Sequence, residues 1–188
     1  PGVIADNGGD NVGDIAGMGS DIFESYCGAM IATIAIASTM AIDLRQEMMF
    51  LPLALASIGL LASICGIGII RARSGAAPEV ALRTGTMLAP VIFAILAWFL
   101  IKALGIDSNV WWAVISGAVG GVAIGLITEY YTGGPPVRKI AKSGETGPAT
   151  VMITGLAVGM QSVVLPILFI AAIIFFSTGL SGLYGVGI

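Results

Sequence analysis

Five acidic side chains recur at helical spacing near the start of the chain. They lie in the glycine-rich segment DNGGDNVGDIAGMGSDIFESY and are Asp6, Asp10, Asp14, Asp21 and Glu24, here termed the acid stripe. At about 100° per residue, steps of four, four, seven and three residues return to nearly the same side of an α-helix. Like charges about 6 Å apart repel, and more strongly as water is removed, so the acid stripe requires a cationic partner.

The first three aspartates of the acid stripe have the chemistry of a magnesium site. Hard divalent cations take oxygen ligands and are commonly held by one or two carboxylates together with substrate phosphates. Asp6, Asp10 and Asp14 supply such oxygens. The simpler explanation is a solvated acidic helix start, where aspartates favour the positive end of the helix dipole. That explanation accounts for one aspartate better than for three in register, so we predict metal binding.

The composition restricts both the class of protein and its possible chemistry. A mean hydropathy of +1.00 with 57% hydrophobic and only 10% charged residues indicates a membrane protein, because soluble domains carry about 25% charged residues. A net charge of −3 without a basic stripe argues against nucleic acid as a partner. The chain has no histidine, which excludes Ser-His-Asp and Cys-His triads and histidine-ligated zinc. Its chemistry must therefore rest on carboxylates.

Five apolar segments are long enough to cross a hydrocarbon core of about 30 Å as helices. The sequence therefore predicts an all-α, polytopic transmembrane helix bundle. The predicted spans, with the acidic start included in the first, are residues 6–42, 48–70, 79–103, 110–131 and 147–176. The chain begins at Pro1 without an initiator methionine and ends in GLYGVGI. We expect residues 1–188 to be one internal part of a single longer membrane domain.

Basic residues predict how the bundle is oriented, because short cytoplasmic loops carry an excess of lysine and arginine. Two connections on the same side carry six bases, namely Arg71, Arg73, Arg83, Arg138, Lys139 and Lys142. Only Arg45 and Lys102 lie opposite. The end with the acid stripe is therefore predicted to face the cytoplasm.

The predicted length of the first helix divides the acid stripe into two zones. A helix over residues 6–42 extends about 55 Å, well beyond the hydrocarbon core. Asp6, Asp10 and Asp14 should then stand in water above the membrane. Asp21 and Glu24 should lie where the helix enters it, and acids at such a depth mark an ion pathway.

Glycines four residues apart predict close contacts between helices, since small residues let helix backbones approach. Three such sets occur, namely Gly13 with Gly17, Gly117 with Gly121 and Gly125, and Gly155 with Gly159.

The acidic segment resembles a known family. VIADNGGDNVGDIAGMGSDIFESY is similar to the helix that opens the catalytic half of membrane-integral pyrophosphatases, where the usual string reads DNVGDNVGD. TEYYT at 128–132, TGPAT at 146–150 and GLAVGMQS at 155–162 resemble later helices in the same order. The resemblance covers essentially the whole chain. Gly8 stands where the family has valine, and Val151 stands where many members have asparagine.

This resemblance implies a fold and a function. The parent protein would have sixteen transmembrane helices, act as a homodimer in a prokaryotic cytoplasmic membrane and couple magnesium-pyrophosphate hydrolysis to pumping of sodium ions or protons. This chain would supply the sixth to tenth helices and be inactive alone. Asp6 and Asp10 match positions that bind magnesium and pyrophosphate, and Asp14 matches the position that activates the attacking water beside the metal. Asp21 matches the ion gate.

The resemblance also bears on the transported ion. Glu24 matches the glutamate that helps to define this ion, and it stands one turn earlier than in plant vacuolar enzymes, where the equivalent of Gly28 is glutamate. That placement resembles sodium-pumping members, which favours sodium, with potassium as a further cofactor.

Two other classes of function would also use a membrane helix bundle. A secondary cation transporter or channel would use the acid stripe without breaking a bond, but transporter sites are expected near the bilayer midplane. A purely structural packing module would not explain acids at the membrane boundary.

Overall fold

Helices make up nearly all of the structure, a computed structural model that describes the backbone of residues 1–40, 42–72 and 78–188 and the side chains of 1–40, 45–72 and 83–188. There is no strand within these ranges. The elements are α1 (Gly2–Asn11), a π-helical turn (Val12–Gly17), α2 (Met18–Ser38), α3 (Ile42–Ala72), α4 (Pro78–Ala103), α5 (Ser108–Gly133), α6 (Pro135–Ser143), a 3-10 turn (Gly144–Thr146) and α7 (Pro148–Gly187).

Four apolar helical segments in the described ranges are long enough to cross a membrane. They are Arg45–Ala72, Arg83–Ala103, Ser108–Thr146 and Pro148–Gly187. The prediction of an all-α bundle of apolar helices is thereby confirmed. The first predicted span forms a helix, but it is not among these four, because Asp21, Glu24 and several small polar residues lower the hydropathy of α2.

The predicted boundaries differ from the structure mainly at two places. α2 ends at Ser38 and α3 begins at Ile42, so the polar residues 43–47 form the first turn of α3 instead of a connection. The Arg45 guanidinium donates hydrogen bonds of 3.0 and 3.3 Å to the Met40 carbonyl just beyond α2. α7 runs past the predicted end at residue 176 to Gly187, and its backbone leaves helical geometry at Ser181 and Gly182.

Neighbouring helices along the chain pack antiparallel. α3 contacts α2 and α4, α5 contacts α4, and α7 contacts α5 most extensively. The Trp111 indole N–H donates to the Ala94 carbonyl at 3.0 Å, and the hydroxyls of Ser116 and Ser177 lie 3.0 Å apart. Because α5 and α7 run in opposite directions, the end of α5 and the start of α7 lie on the same side of the bundle.

The best-buried core lies at the end of the bundle opposite the acid stripe. Its members come from the end of α2, the first half of α3, the end of α4, the connection from α4 to α5, the start of α5 and the last turn of the chain. They are Ala37, Met48, Leu51, Leu55, Ala97, Ile101, Ile106, Val110, Val114 and Tyr184. Gly182 has a φ of 62°, which turns the last residues back over this core. The Thr33 hydroxyl there donates to the Gly187 carbonyl.

The glycines that bring helices together are not those that the spacing predicted. In the described part of the chain, a Cβ added to any member of the three predicted sets would meet no atom within 4 Å. Close contacts occur instead at Gly85 against Ile70 and at Gly120 against Ile173. The prediction was wrong for contacts within this chain, because spacing shows which residues share a face but not which face meets a neighbour.

Candidate functional site

One uninterrupted helical segment, Gly2–Ser38, carries the whole acid stripe. All five of its carboxylate side chains are exposed, and none accepts a hydrogen bond from the described residues. α1 and the π-helical turn contact only the adjoining parts of the same segment, whereas α2 packs on α3 and α7. The acidic half of the segment therefore projects from the bundle, and its apolar half is anchored in it.

The π-helical turn interrupts the regular spacing of the acid stripe. The Met18 N–H donates to the carbonyl of Gly13, five residues earlier, and Asp14 lies inside this turn. A π-turn accommodates one residue more than an α-turn, so the residues beyond it are displaced by about 100° around the axis. Asp21 and Glu24 are therefore rotated away from the side that carries Asp6 and Asp10.

This rotation corrects the prediction of a single straight stripe, which assumed 100° per residue throughout. The π-turn separates the acids into an upper group above it and a lower pair beyond it, with Asp14 at the change of pitch. Such turns occur frequently at functional sites. Gly13 and Gly17 lie within the turn, and the low helical preference of glycine was its only signal in the sequence.

The upper acids offer oxygen ligands without forming a closed metal site by themselves. Among the described residues, no three acidic or thiol side chains lie close enough together to hold an ion. Carboxylates on successive turns of one helix are about 6 Å apart, so Asp6 with Asp10, or Asp10 with Asp14, can present two at a time. Two carboxylates on an open side fit magnesium, which is usually completed by water and substrate phosphates.

The lower pair lies where the helix becomes apolar. Asp21 and Glu24 are separated by Ile22 and Phe23, whose side chains are two-thirds exposed in this chain. Below them, a cavity of about 840 Å³ runs between α2 and α3, from Phe23 and Tyr26 to Gly187.

Three hydroxyl residues that the sequence pattern did not indicate as functional line this cavity. Thr33 contributes from α2, and Ser57 and Ser63 contribute from α3. Their sequence signal was hydroxyl residues inside apolar helices, which is weak because such residues often bond to their own backbone, as Ser57 does to the Leu53 carbonyl at 2.9 Å.

Because neighbouring helices pack antiparallel, most of the basic residues lie at the end of the bundle that carries the acid stripe. Arg71 lies in the last turn of α3, Arg83 lies in the second turn of α4, and α6 carries Arg138, Lys139 and Lys142. Arg45 and Lys102 lie at the opposite end, where the Lys102 ammonium is 4.9 Å from the ring centroid of Trp98. Arg73 lies outside the described residues. The asymmetry of charge that the sequence predicted is thus present among the other seven bases.

Comparison with known families decides what kind of protein carries these acids. The profile of the inorganic H+ pyrophosphatase family matches residues 1–188. The chain belongs to the inorganic H+ pyrophosphatase family. Membership confirms the resemblance that the acidic segment and the later motifs indicated over essentially the whole chain.

Individual members of the family align with the whole chain. It is 43% identical over 198 residues to a Clostridium tetani protein and 38% identical over 210 residues to a Bacteroides thetaiotaomicron protein, both of which are named for a K(+)-stimulated pyrophosphate-energized sodium pump. It is 35% identical over 211 residues to a K(+)-insensitive pyrophosphate-energized proton pump of Caldanaerobacter subterraneus. Each alignment includes 100% of this chain but only 29%, 29% and 30% of the relative. The chain thus spans less than a third of the length of these relatives.

Proposed function

We propose that this chain is the part of a pyrophosphate-energized cation pump in which the hydrolytic site adjoins the ion path. The observation that carries the proposal is the single helical segment Gly2–Ser38, whose upper acids project into the open and whose lower acids enter an apolar bundle. The membership of the chain in the inorganic H+ pyrophosphatase family supports pyrophosphate hydrolysis as the reaction. Pyrophosphate and the lipid bilayer are then its two partners.

The upper acids act on the substrate in this proposal. Asp6 and Asp10 bind magnesium-pyrophosphate, and Asp14 binds metal and positions the attacking water. Magnesium, when bound, neutralises charge on phosphate oxygens, which is the main requirement of phosphoryl transfer. Asp14 holds the water in line with the phosphorus and accepts its proton, so its place in the π-helical turn sets the direction from which water attacks.

The lower acids form the entrance of the ion path. Asp21 acts as the gate and Glu24 helps to select the ion. We favour sodium, because the two relatives named as sodium pumps are 43% and 38% identical to this chain, against 35% for the Caldanaerobacter subterraneus relative named as a proton pump. Protons are the second candidate, since that third relative also aligns with the whole chain. We also propose stimulation by potassium, which the names of the first two relatives support.

The placement of bases supports a cytoplasmic position for the acids. The predominance of arginine and lysine at the acid-stripe end agrees with the cytoplasmic excess of these residues in membrane proteins. Pyrophosphate would then be cleaved in the cytoplasm. The full protein is proposed to be a homodimer. Residues 1–188 alone are proposed to be inactive, because among the described residues α1 and the π-helical turn, which carry Asp6, Asp10 and Asp14, contact only their own helical segment.

A coupled assay tests this function. The full-length protein that contains this chain is reconstituted in vesicles with magnesium, and phosphate release and ²²Na⁺ uptake are measured together. We expect pyrophosphate to drive both, and residues 1–188 alone to drive neither. Sodium flux down its gradient without pyrophosphate would instead support the passive transporter. Hydrolysis accompanied by acidification of the vesicle interior, without sodium uptake, would identify protons as the cargo.

A further inference from the structure

α4 and α5 leave a groove between them, and none of its lining residues belongs to the acid stripe. Its volume is about 610 Å³, which is within the range of pockets that hold small-molecule ligands. Arg83 and Glu129 line one part of it, and Met87, Gly121, Gly125 and Leu126 line the apolar remainder. The groove is therefore amphipathic, with one base and one acid beside an apolar trough.

Two glycines keep the trough open. A Cβ added to Gly121 or Gly125 would meet no described atom within 4 Å, so neither glycine is required by packing inside this chain. In contrast, the side chain of Ile173 from α7 fills the space beside the adjacent Gly120. α5 thus uses one glycine for its own packing and leaves the next two facing the groove.

The charged residues lie where a membrane boundary is expected. Arg83 lies in the second turn of α4, before the long apolar run of that helix, and Glu129 directly precedes Tyr130 and Tyr131 near the end of α5. These two rings stack edge to face with centroids 5.2 Å apart, and aromatic rings of this kind concentrate at the level of lipid headgroups. Neither Arg83 nor Glu129 forms an ion pair with another described side chain.

We propose that this groove binds a phospholipid with a zwitterionic, primary-amine headgroup, that is, phosphatidylethanolamine. The guanidinium of Arg83 binds the phosphate, the carboxylate of Glu129 accepts hydrogen bonds from the ammonium, and one acyl chain lies along Gly121 and Gly125. Opposite charges at one mouth match a headgroup that carries both signs. A quaternary choline headgroup has no N–H to donate, so Glu129 discriminates between the two lipids.

Electron paramagnetic resonance of spin-labelled lipids tests the proposal on the full-length protein. The protein is placed in phosphatidylcholine nanodiscs that contain a small fraction of chain-labelled phosphatidylethanolamine or, in a parallel sample, chain-labelled phosphatidylcholine. We expect a larger motionally restricted signal from phosphatidylethanolamine. Gly121→Leu should remove most of it by filling the trough. Glu129→Gln should reduce the preference between the two lipids by about fivefold, as expected for loss of one charge-assisted hydrogen bond.

A matched control separates this site from a general effect on the bilayer. Gly68 of α3 also faces open space and does not line the groove, so Gly68→Leu should leave the restricted signal unchanged. An equal signal from both lipids in the unaltered protein, or no loss with Gly121→Leu, would overturn the proposal. So would a crosslink from Gly125→Cys to another segment of the protein, because a helix would then occupy the groove. Retained pyrophosphate hydrolysis in each variant verifies folding independently of lipid binding.

Discussion

The hydroxyl of Tyr184 donates a 2.8 Å hydrogen bond to the carbonyl of Met48, which lies 136 residues earlier in the chain. In a regular helix this carbonyl would accept from the N–H of residue 52, but that residue is Pro52, which has no N–H. The proline occurs inside an apolar helix, where an unpaired carbonyl is costly. The last turn of the chain thus satisfies a backbone group that α3 cannot satisfy for itself.

Removing this hydroxyl should destabilise the bundle. Tyr184→Phe keeps the buried ring but leaves the Met48 carbonyl without a donor, which costs about 1–3 kcal/mol for a buried polar group. We expect a lower midpoint of thermal unfolding for the full-length protein in detergent, with fluorescence or light scattering as the readout.

A second substitution shows whether the proline is the cause. Pro52→Ala restores an N–H four residues after Met48, so the double variant with Tyr184→Phe should regain much of the lost stability. The pair should therefore be non-additive in a double-mutant cycle. Strictly additive effects would show that Tyr184 stabilises the fold by some other contact.

The sequence predicts one half of this relationship and not the other. A proline within an apolar helix indicates that the carbonyl four residues earlier needs a donor. Nothing in the spacing identifies Tyr184 as that donor, because the turn at Gly182 that returns it to α3 follows a long apolar run without a break signal other than common glycines and serines. Local helices follow from hydrophobicity, whereas contacts between distant helices depend on which faces meet.

Gly120 provides a second test of the packing. A Cβ there would collide with the side chain of Ile173, so Gly120→Val should separate α5 from α7 and lower the unfolding midpoint, at a cost of about 1–3 kcal/mol for overpacking. Ile173→Ala in the same protein should recover part of the loss. Gly117→Val, whose Cβ meets no described atom, is the matched control. A larger effect at Gly117 than at Gly120 would contradict the packing of α5 on α7.

The candidate site shows the same division between local and distant information. The identity of the five acids and their division into upper and lower zones follow from residue type, spacing and hydropathy. The angles between the acids around the helix axis could not be predicted from spacing, because the π-helical turn changes the number of residues per turn between Asp10 and Asp21. Among the described residues, α1 and the π-helical turn contact only their own helical segment, so the spacing of Asp6, Asp10 and Asp14 predicts their ligand chemistry but not what faces them.

Deletion of one residue tests the π-helical turn. Without Ala16, the turn can become an ordinary α-turn while the helices on either side keep their relative rotation. We expect near-normal thermal stability but a large loss of pyrophosphate hydrolysis, because Asp14 moves relative to Asp10. Deletion of Ala32 in the regular part of α2 should unfold the protein, since it rotates Ala37 out of the core. Equal damage from both deletions would contradict the π-turn.

Asp14→Asn tests the proposed hydrolytic role with little change in shape. The amide cannot accept a proton from water, so magnesium-dependent phosphate release should fall by about 10²-fold or more. Glu145→Gln is the control, because Glu145 is another exposed acid near the start of α7 that does not belong to the acid stripe. Unchanged hydrolysis with Asp14→Asn would exclude this residue from the proposed reaction, whereas an equal loss with Glu145→Gln would indicate a general effect of negative charge.

Glu24→Ala should separate transport from hydrolysis. Glu24 lies ten residues beyond Asp14, about 15 Å along the helix, which is too far for contact with the same substrate. Its loss should therefore reduce ²²Na⁺ uptake by reconstituted vesicles more than it changes the KM for magnesium-pyrophosphate. Ser25→Ala, at the next exposed position of α2, is the matched control. Normal uptake with Glu24→Ala would remove Glu24 from the ion path, and a parallel loss of substrate binding would place it in the hydrolytic site instead.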